Sequence, residues 1–103
     1  MSALIVLFDL KPGVDPKDYE RWAQEIDVPV VGHLESIDQF RVYRLGELLL
    51  GEGSAPYAYC EVIDVNDLTR LREELACSRL REIALQFQEL ADNQVFVVAK
   101  QIA

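Results

Sequence analysis

A chain of 103 residues, half of them hydrophobic, can fill one core but buries only a modest fraction of its surface, so a partner subunit would add both stability and pocket depth. Eighteen acidic against ten basic residues give a formal charge of −8, the wrong sign for gripping nucleic-acid phosphate or an anionic membrane surface. The acid is spread along the chain, where it serves solubility and favours a cationic guest over an anionic one.

One domain is expected over residues 1–103, with no repeat, linker or low-complexity run. The start, MSALIVLFDLKPG, lacks a basic leader and a cleavage site, and Asp9 and Lys11 interrupt it too soon for a membrane span. Residues 3–10 read as a central strand buried on both faces, ended by Pro12-Gly13. Asp15 is placed to cap a helix that has Pro16 at its first position. Tyr19, Trp22, Ala23 and Ile26 follow as one apolar stripe. Pro29 predicts that this helix ends by Val28, leaving 28–35 as an unusually apolar loop.

A second strand is expected over about 36–48, a hairpin loop over 49–56 and a third strand over 57–65. Alternation sets Phe40 and Val42 against Gln39, Arg41 and Tyr43 in the second strand. In the third it sets Ala58, Cys60 and Val62 against Tyr57, Tyr59, Glu61 and Ile63. Grouping by polarity gives one apolar face (Phe40, Val42, Ala58, Cys60, Val62) and a polar face on which Arg41 lies near Glu61. A one-residue slip reverses every assignment on the third strand. Asn66 or Asp67 caps a short helix, a break falls near 76–78, a longer helix follows to Asp92-Asn93, and 94–102 is the last strand. The order β-α-β-β-α-β favours an α+β, ferredoxin-like, four-stranded antiparallel sheet with both helices on one face. The other face then demands a second copy, which would make a homodimeric α+β barrel.

Glu61 on a central strand is at least partly buried, and a buried carboxylate is costly unless paired. Two readings stand: a structural ion pair with Arg41 under a dimer interface, or a pocket carboxylate with a shifted pKa that serves as acid or base. His33, the sole histidine, lies in the apolar loop downstream of Asp27; imidazole can move protons both ways near neutrality. His33, Glu61 and Asp27 are therefore the candidate catalytic residues. Trp22, Ser36, Arg41, Tyr43 and Tyr59 are the candidate substrate contacts, the aromatic ones as walls for a flat ring system. One histidine is too few for a typical zinc site, so no metal is expected. Cys60 and Cys77 have neither metal nor redox spacing and read as thiols in a reducing, cytoplasmic compartment. No GxSxG, GxGxxG or GxxxxGK[ST] occurs.

Tyr19-Glu20-Arg21-Trp22, Asp27-Val28-Pro29, SIDQFRVYR at 36–44, PYAYCEVIDVND at 56–67 and FQELADNQVF at 87–96 together resemble the RedY/HapK-like family, over nearly the whole chain. The resemblance implies a dimeric α+β barrel and a role on a pyrrole- or indole-derived intermediate of prodigiosin-type or bisindole alkaloid pathways, without a bound cofactor. The resemblance assigns no role to His33, whose part rests on its chemistry alone. The expected function is a cofactor-independent cyclase acting on a reactive imine or enamine. In that scheme His33 moves the proton, and Glu61 or Asp27 orients it or stabilises an iminium. The alternatives are a non-catalytic chaperone for a labile intermediate and, by fold analogy alone, a cofactor-free oxygenase.

Overall fold

The computed structural model describes residues 2–103 of the chain; Met1, the first residue of the expected domain, lies outside the described residues. Four strands, β1 (Ser2–Leu10), β2 (Ile37–Arg44), β3 (Tyr59–Val65) and β4 (Ala91–Lys100), form one antiparallel sheet in the order β2-β3-β1-β4. β1, the most continuously apolar run, takes a central place. Helices α1 (Pro16–Trp22), α2 (Val28–Val31), α3 (Leu68–Glu74) and α4 (Ser78–Leu90) fill the two crossovers. This is the ferredoxin-like arrangement expected.

Both predicted caps form. Asp15 accepts from the Lys17 backbone N–H at 2.9 Å, and Asp67 accepts from that of Arg70 at 3.0 Å. The break between α3 and α4 falls at 75–77, where the apolar stripe changes phase.

The helical run does not stop before Pro29. One π-helical turn, Ala23–Asp27, links α1 to α2, with the Val28 N–H reaching back to the Ala23 carbonyl. Pro29 follows directly on the π turn inside this continuous run, which forgoes the backbone hydrogen bond that its missing N–H would have made. Gly32 ends the run: a Cβ there would lie 2.5 Å from the Val28 carbonyl. The expected apolar loop at 28–35 is thus half helix.

Register decides which residues share a face, because directly opposed residues point the same way. Val6 and Val42 flank Glu61, Leu4 and Phe40 flank Ile63, and Phe8 and Arg44 flank Tyr59. Tyr59, Glu61, Ile63 and Val65 are all buried. The helix face is therefore the one that carries Glu61. The polarity grouping is corrected here: Phe40 and Val42 share a face with Glu61, whereas Arg41 and Tyr43 lie opposite Val62 and Cys60 on the outer face. The odd residue Asp38 in the β2–β3 ladder is a bulge that shifts the pairing by one, so strands aligned by polarity alone come out of step.

The core has two parts under the helices. One gathers Val6, Phe8, Tyr19, Ala23, Tyr59, Phe87 and Ala91; the other gathers Ile37, Phe40, Ile63, Val65 and Leu71. The outer face carries Ile5, Leu7, Cys60, Val62, Val95 and Val97 with nothing of the chain's own laid over it. Val97 is 43% exposed. No helix among the described residues is long and apolar enough to cross a membrane.

Candidate active site

Between the sheet and the helices lies a cavity of about 280 Å³, close to the lower end of the range for small-molecule sites. Its sheet wall is Leu4, Val6, Phe40 and Ile63; its roof is Leu80, Ile83, Ala84 and Phe87 of α4. Phe96 of β4 closes one side, with its ring 6.2 Å from that of Phe87. Arg81 and Gln88, both exposed, stand at the opening. In this apolar shell two acids face inward, Asp27 and Glu61, which are 5% and 4% exposed.

The sequence brings them together by two local devices. Tyr19, Ala23 and Asp27 follow one another every fourth residue and are all buried. A regular α-helix would drift off that face over eight residues; the wider π turn restores it, and Asp27 is its last residue. Glu61 is delivered by strand alternation, on the buried face between Val6 and Val42.

Two carboxylates cannot both ionise in so dry a place. Burial pushes Asp27 up to about 6, opposed by a hydrogen bond from Glu61. Burial, then the Asp27 charge, then that hydrogen bond push Glu61 well above the carboxylate range. Near neutrality the pair therefore holds one proton, on Glu61, which donates to ionised Asp27. The second oxygen of Glu61, Oε2, is buried without a partner.

The structure unites two of the three expected catalytic residues and leaves the third apart. His33 is exposed, its Nδ1 rests on the Pro29 carbonyl of its own turn, and it does not line the cavity. Its place just after α2 turns it to solvent. The expected Arg41–Glu61 pair is not formed: Arg41 bonds Asp64 at 3.2 Å on the outer face, where its Nε is buried without a partner. Among the expected substrate contacts, Tyr43 is on the outer face and 48% exposed. Tyr59 is on the helix face, but its hydroxyl donates to Glu20 at 2.7 Å, and Arg44 holds the same carboxylate at 3.0 Å. Trp22 packs on Phe87 and donates to Gln86 at 2.9 Å. Ser36 is fully buried at the head of β2, outside the cavity wall. Sequence reading missed the α4 roof, where core and cavity residues share one apolar pattern, and the Tyr19 hydroxyl, which is buried and unpartnered. Among the described residues no group of three or more His, Cys, Asp or Glu is placed to hold a metal ion.

A pair of carboxyls sharing one proton holds an acid and a base in contact, shielded from water and open to a flat apolar guest. Such a centre can protonate a basic nitrogen, stabilise the cation and take the proton back.

The fold is widely shared. HapK from Hahella chejuensis is 23% identical, with a TM-score of 0.76 over 99% of this chain and 93% of that one. At3g17210 from Arabidopsis thaliana is 16% identical, with a TM-score of 0.82 over 100% and 97%. A dimeric ferredoxin-like protein of unknown function from Thermobifida fusca is 16% identical, with a TM-score of 0.72 over 97% and 90%. No curated protein matches in sequence. The family model described as REDY-like protein HapK matches residues 2–102, and the chain belongs to that family.

Proposed function

We propose that this protein is a cofactor-independent cyclase for an imine- or enamine-bearing intermediate derived from indole or pyrrole, of the kind that bisindole and tripyrrole alkaloid pathways produce. The observation that carries the reading is the proton-sharing Asp27–Glu61 pair facing an apolar cavity inside one subunit. Glu61 gives its proton to the imine nitrogen, and Asp27 offsets the iminium charge. The nucleophilic carbon of the other arm attacks the iminium carbon, which forms the ring bond and places the C=N pair on nitrogen. The same carboxyls take up the proton lost when the attacking ring regains aromaticity, so no electrons are gained or lost overall. The chamber contributes by holding the two ends of one molecule together. The proton-moving role expected of His33 passes to Glu61, the acid that faces the guest.

Two copies pack outer face to outer face in this reading. The uncovered Ile5, Leu7, Val62, Val95 and Val97 would otherwise be a hydrophobic patch in water. Similar structures from Thermobifida fusca and Bacteroides fragilis are described as dimeric.

The test is product analysis by mass spectrometry, with the upstream enzyme's product as substrate and the protein substoichiometric. A cyclase gives many turnovers, and Glu61→Gln loses them. A yield that rises only in proportion to protein marks a chaperone, and oxygen uptake marks an oxygenase; both outcomes overturn the proposal.

A further inference from the structure

We infer that the mouth of the cavity is a second subsite, which holds a planar, carboxylate-bearing arm of the guest between Phe96 and Arg81. The inference rests on the reading of this cavity as a substrate site, and it adds the chemical class of the part of the guest that lies outside.

The mouth has two lips. Arg81, Ala84 and Gln88 recur at i, i+3 and i+7 on one flank of α4; all three line the cavity and all three are exposed. Across the slot stands Phe96, on the edge strand β4. It is opposed to Val6 in the ladder and so faces the helices, yet it is 58% exposed. Val98, opposed to Leu4 on the same face, is 53% exposed and extends the shelf. The helix layer leaves this edge of the sheet bare. Packing of two copies outer face to outer face would cover Val95 and Val97 and leave the shelf open.

Arg81 is the one basic side chain on the cavity wall among the described residues. Arg41, Arg44, Arg70 and Arg79 each hold a carboxylate, whereas Arg81 belongs to none of these ion pairs. The chain has 18 acidic residues, yet the positions that a helix sets beside residue 81 are Cys77, Ser78, Ala84 and Leu85. The adjacent Glu82 is taken by Arg79 at 3.5 Å. Asp27 and Glu61 are buried, and no ion pair joins them to exposed Arg81. A cation without an acid, in a chain of net charge −8 and at the opening of an apolar cavity, is a place for an anion.

Size and shape name the occupant. A cavity of about 280 Å³ falls just short of the roughly 300 to 1,000 Å³ that enclose a drug-sized ligand, so a two-armed guest keeps one arm at the mouth. The Phe96 ring offers that arm a flat apolar wall. The guanidinium fork matches a carboxylate, and the Gln88 amide on the same lip is a further donor. One cation suits a monoanion; a phosphate dianion would meet the field of an acidic chain with a single arginine to offset it. The guest is thus dipolar, with its basic nitrogen inward at the acid pair and its acid group outward at Arg81.

The test is calorimetric titration with two probes of one shape, 2-naphthoate and its neutral counterpart 2-naphthamide. Naphthoate should bind the wild type about tenfold more tightly, the low end for a charge-assisted hydrogen bond, and added salt should shrink the gap. Arg81→Gln should abolish the gap and Arg81→Lys should keep part of it. Phe96→Ala should weaken both probes severalfold and leave their ratio intact. Equal affinities in the wild type, a gap that survives Arg81→Gln, or no binding of either probe at millimolar concentration overturns the inference. So does a Phe96→Ala variant that binds both probes as before but sediments at lower mass, because the shelf would then be a contact between copies. Binding is read without turnover: a protein that holds naphthoate through Arg81 yet closes no ring refutes the cyclase and supports the subsite.

Discussion

The two faces of the sheet break the inside–outside rule in opposite ways. The helix face should be uniformly apolar, yet it holds Asp27 and Glu61 among Val6, Phe40, Ile63 and Phe87. The outer face should be polar if it met water, yet it presents Ile5, Leu7, Val62, Val95 and Val97, relieved at one side by the Arg41–Asp64 pair. Polar groups where a core belongs cost stability and mark chemistry; apolar groups where solvent belongs mark contact. Same-strand neighbours reach both faces: Glu61 points into the cavity and Val62 to the uncovered outer face, so one register sets both.

The largest expected effect strikes the inner face. Glu61→Gln keeps a donor to Asp27 but cannot release a proton, and turnover should fall roughly 10²- to 10⁴-fold, the range for loss of a general acid. Circular dichroism should be unchanged. An equal fall in Asp27→Asn would show the two acting as one unit. The next effect belongs to the outer face. Val97→Lys places a charge at its centre, and sedimentation should show the mass fall from dimer to monomer. In a chain that was monomeric all along, the same change would cost only about 0.5 kcal/mol as a surface substitution, and the mass would not move.

A third experiment asks what the buried acids cost. Asp27 titrates near 3.8 when unfolded and at about 6 when folded. The folded state thus binds its proton more tightly, and the associated stability is complete below pH 4 and lost as pH rises through 6. The Asp27→Asn/Glu61→Gln double variant has neither titration. Its stability relative to wild type should grow by about 2.4 kcal/mol between pH 4 and pH 7 from the Asp27 shift alone, at about 1.4 kcal/mol per pH unit and with the unfolded chain's Asp27 already partly ionised at pH 4. Urea melts at the two pH values measure it, and parallel curves would mean that the pair is hydrated.

Sequence carried the architecture because each element announced itself. Asp15-Pro16 and Asp67 mark helix starts, the phase slip near Ala76–Ser78 marks the break, and strict alternation over 59–65 marks a strand buried on one face. The faces were harder. Sorting by polarity assumed that Glu61 would sit with Arg41, whereas a bulge at Asp38 and a core that tolerates an acid put it with Phe40 and Val42. Asp27 could be named, but the reason it turns inward could not: a π turn has no simple residue signature, and Pro29 argued for a helix end. Tyr19 was visible as part of an apolar stripe, yet nothing in a sequence distinguishes a phenol whose hydroxyl is satisfied from one that is not.

The smallest expected effect concerns the residue that chemistry alone most favours. His33 has the one side chain suited to move protons at neutrality. Yet it is exposed, bonded to the Pro29 carbonyl one turn back, and absent from the cavity wall. A group that touches neither guest nor acid pair cannot transfer a proton in the reacting complex. His33→Ala should therefore leave turnover within about twofold and stability within about 0.5 kcal/mol, as for a surface substitution. The pH–rate profile should keep its shape, because the proposed mechanism assigns its limbs to Asp27 and Glu61. A tenfold loss of turnover with an intact fold would mean that the guest reaches out to the α2 end, and the comparison of the two faces would have to admit a third region that takes part in the chemistry.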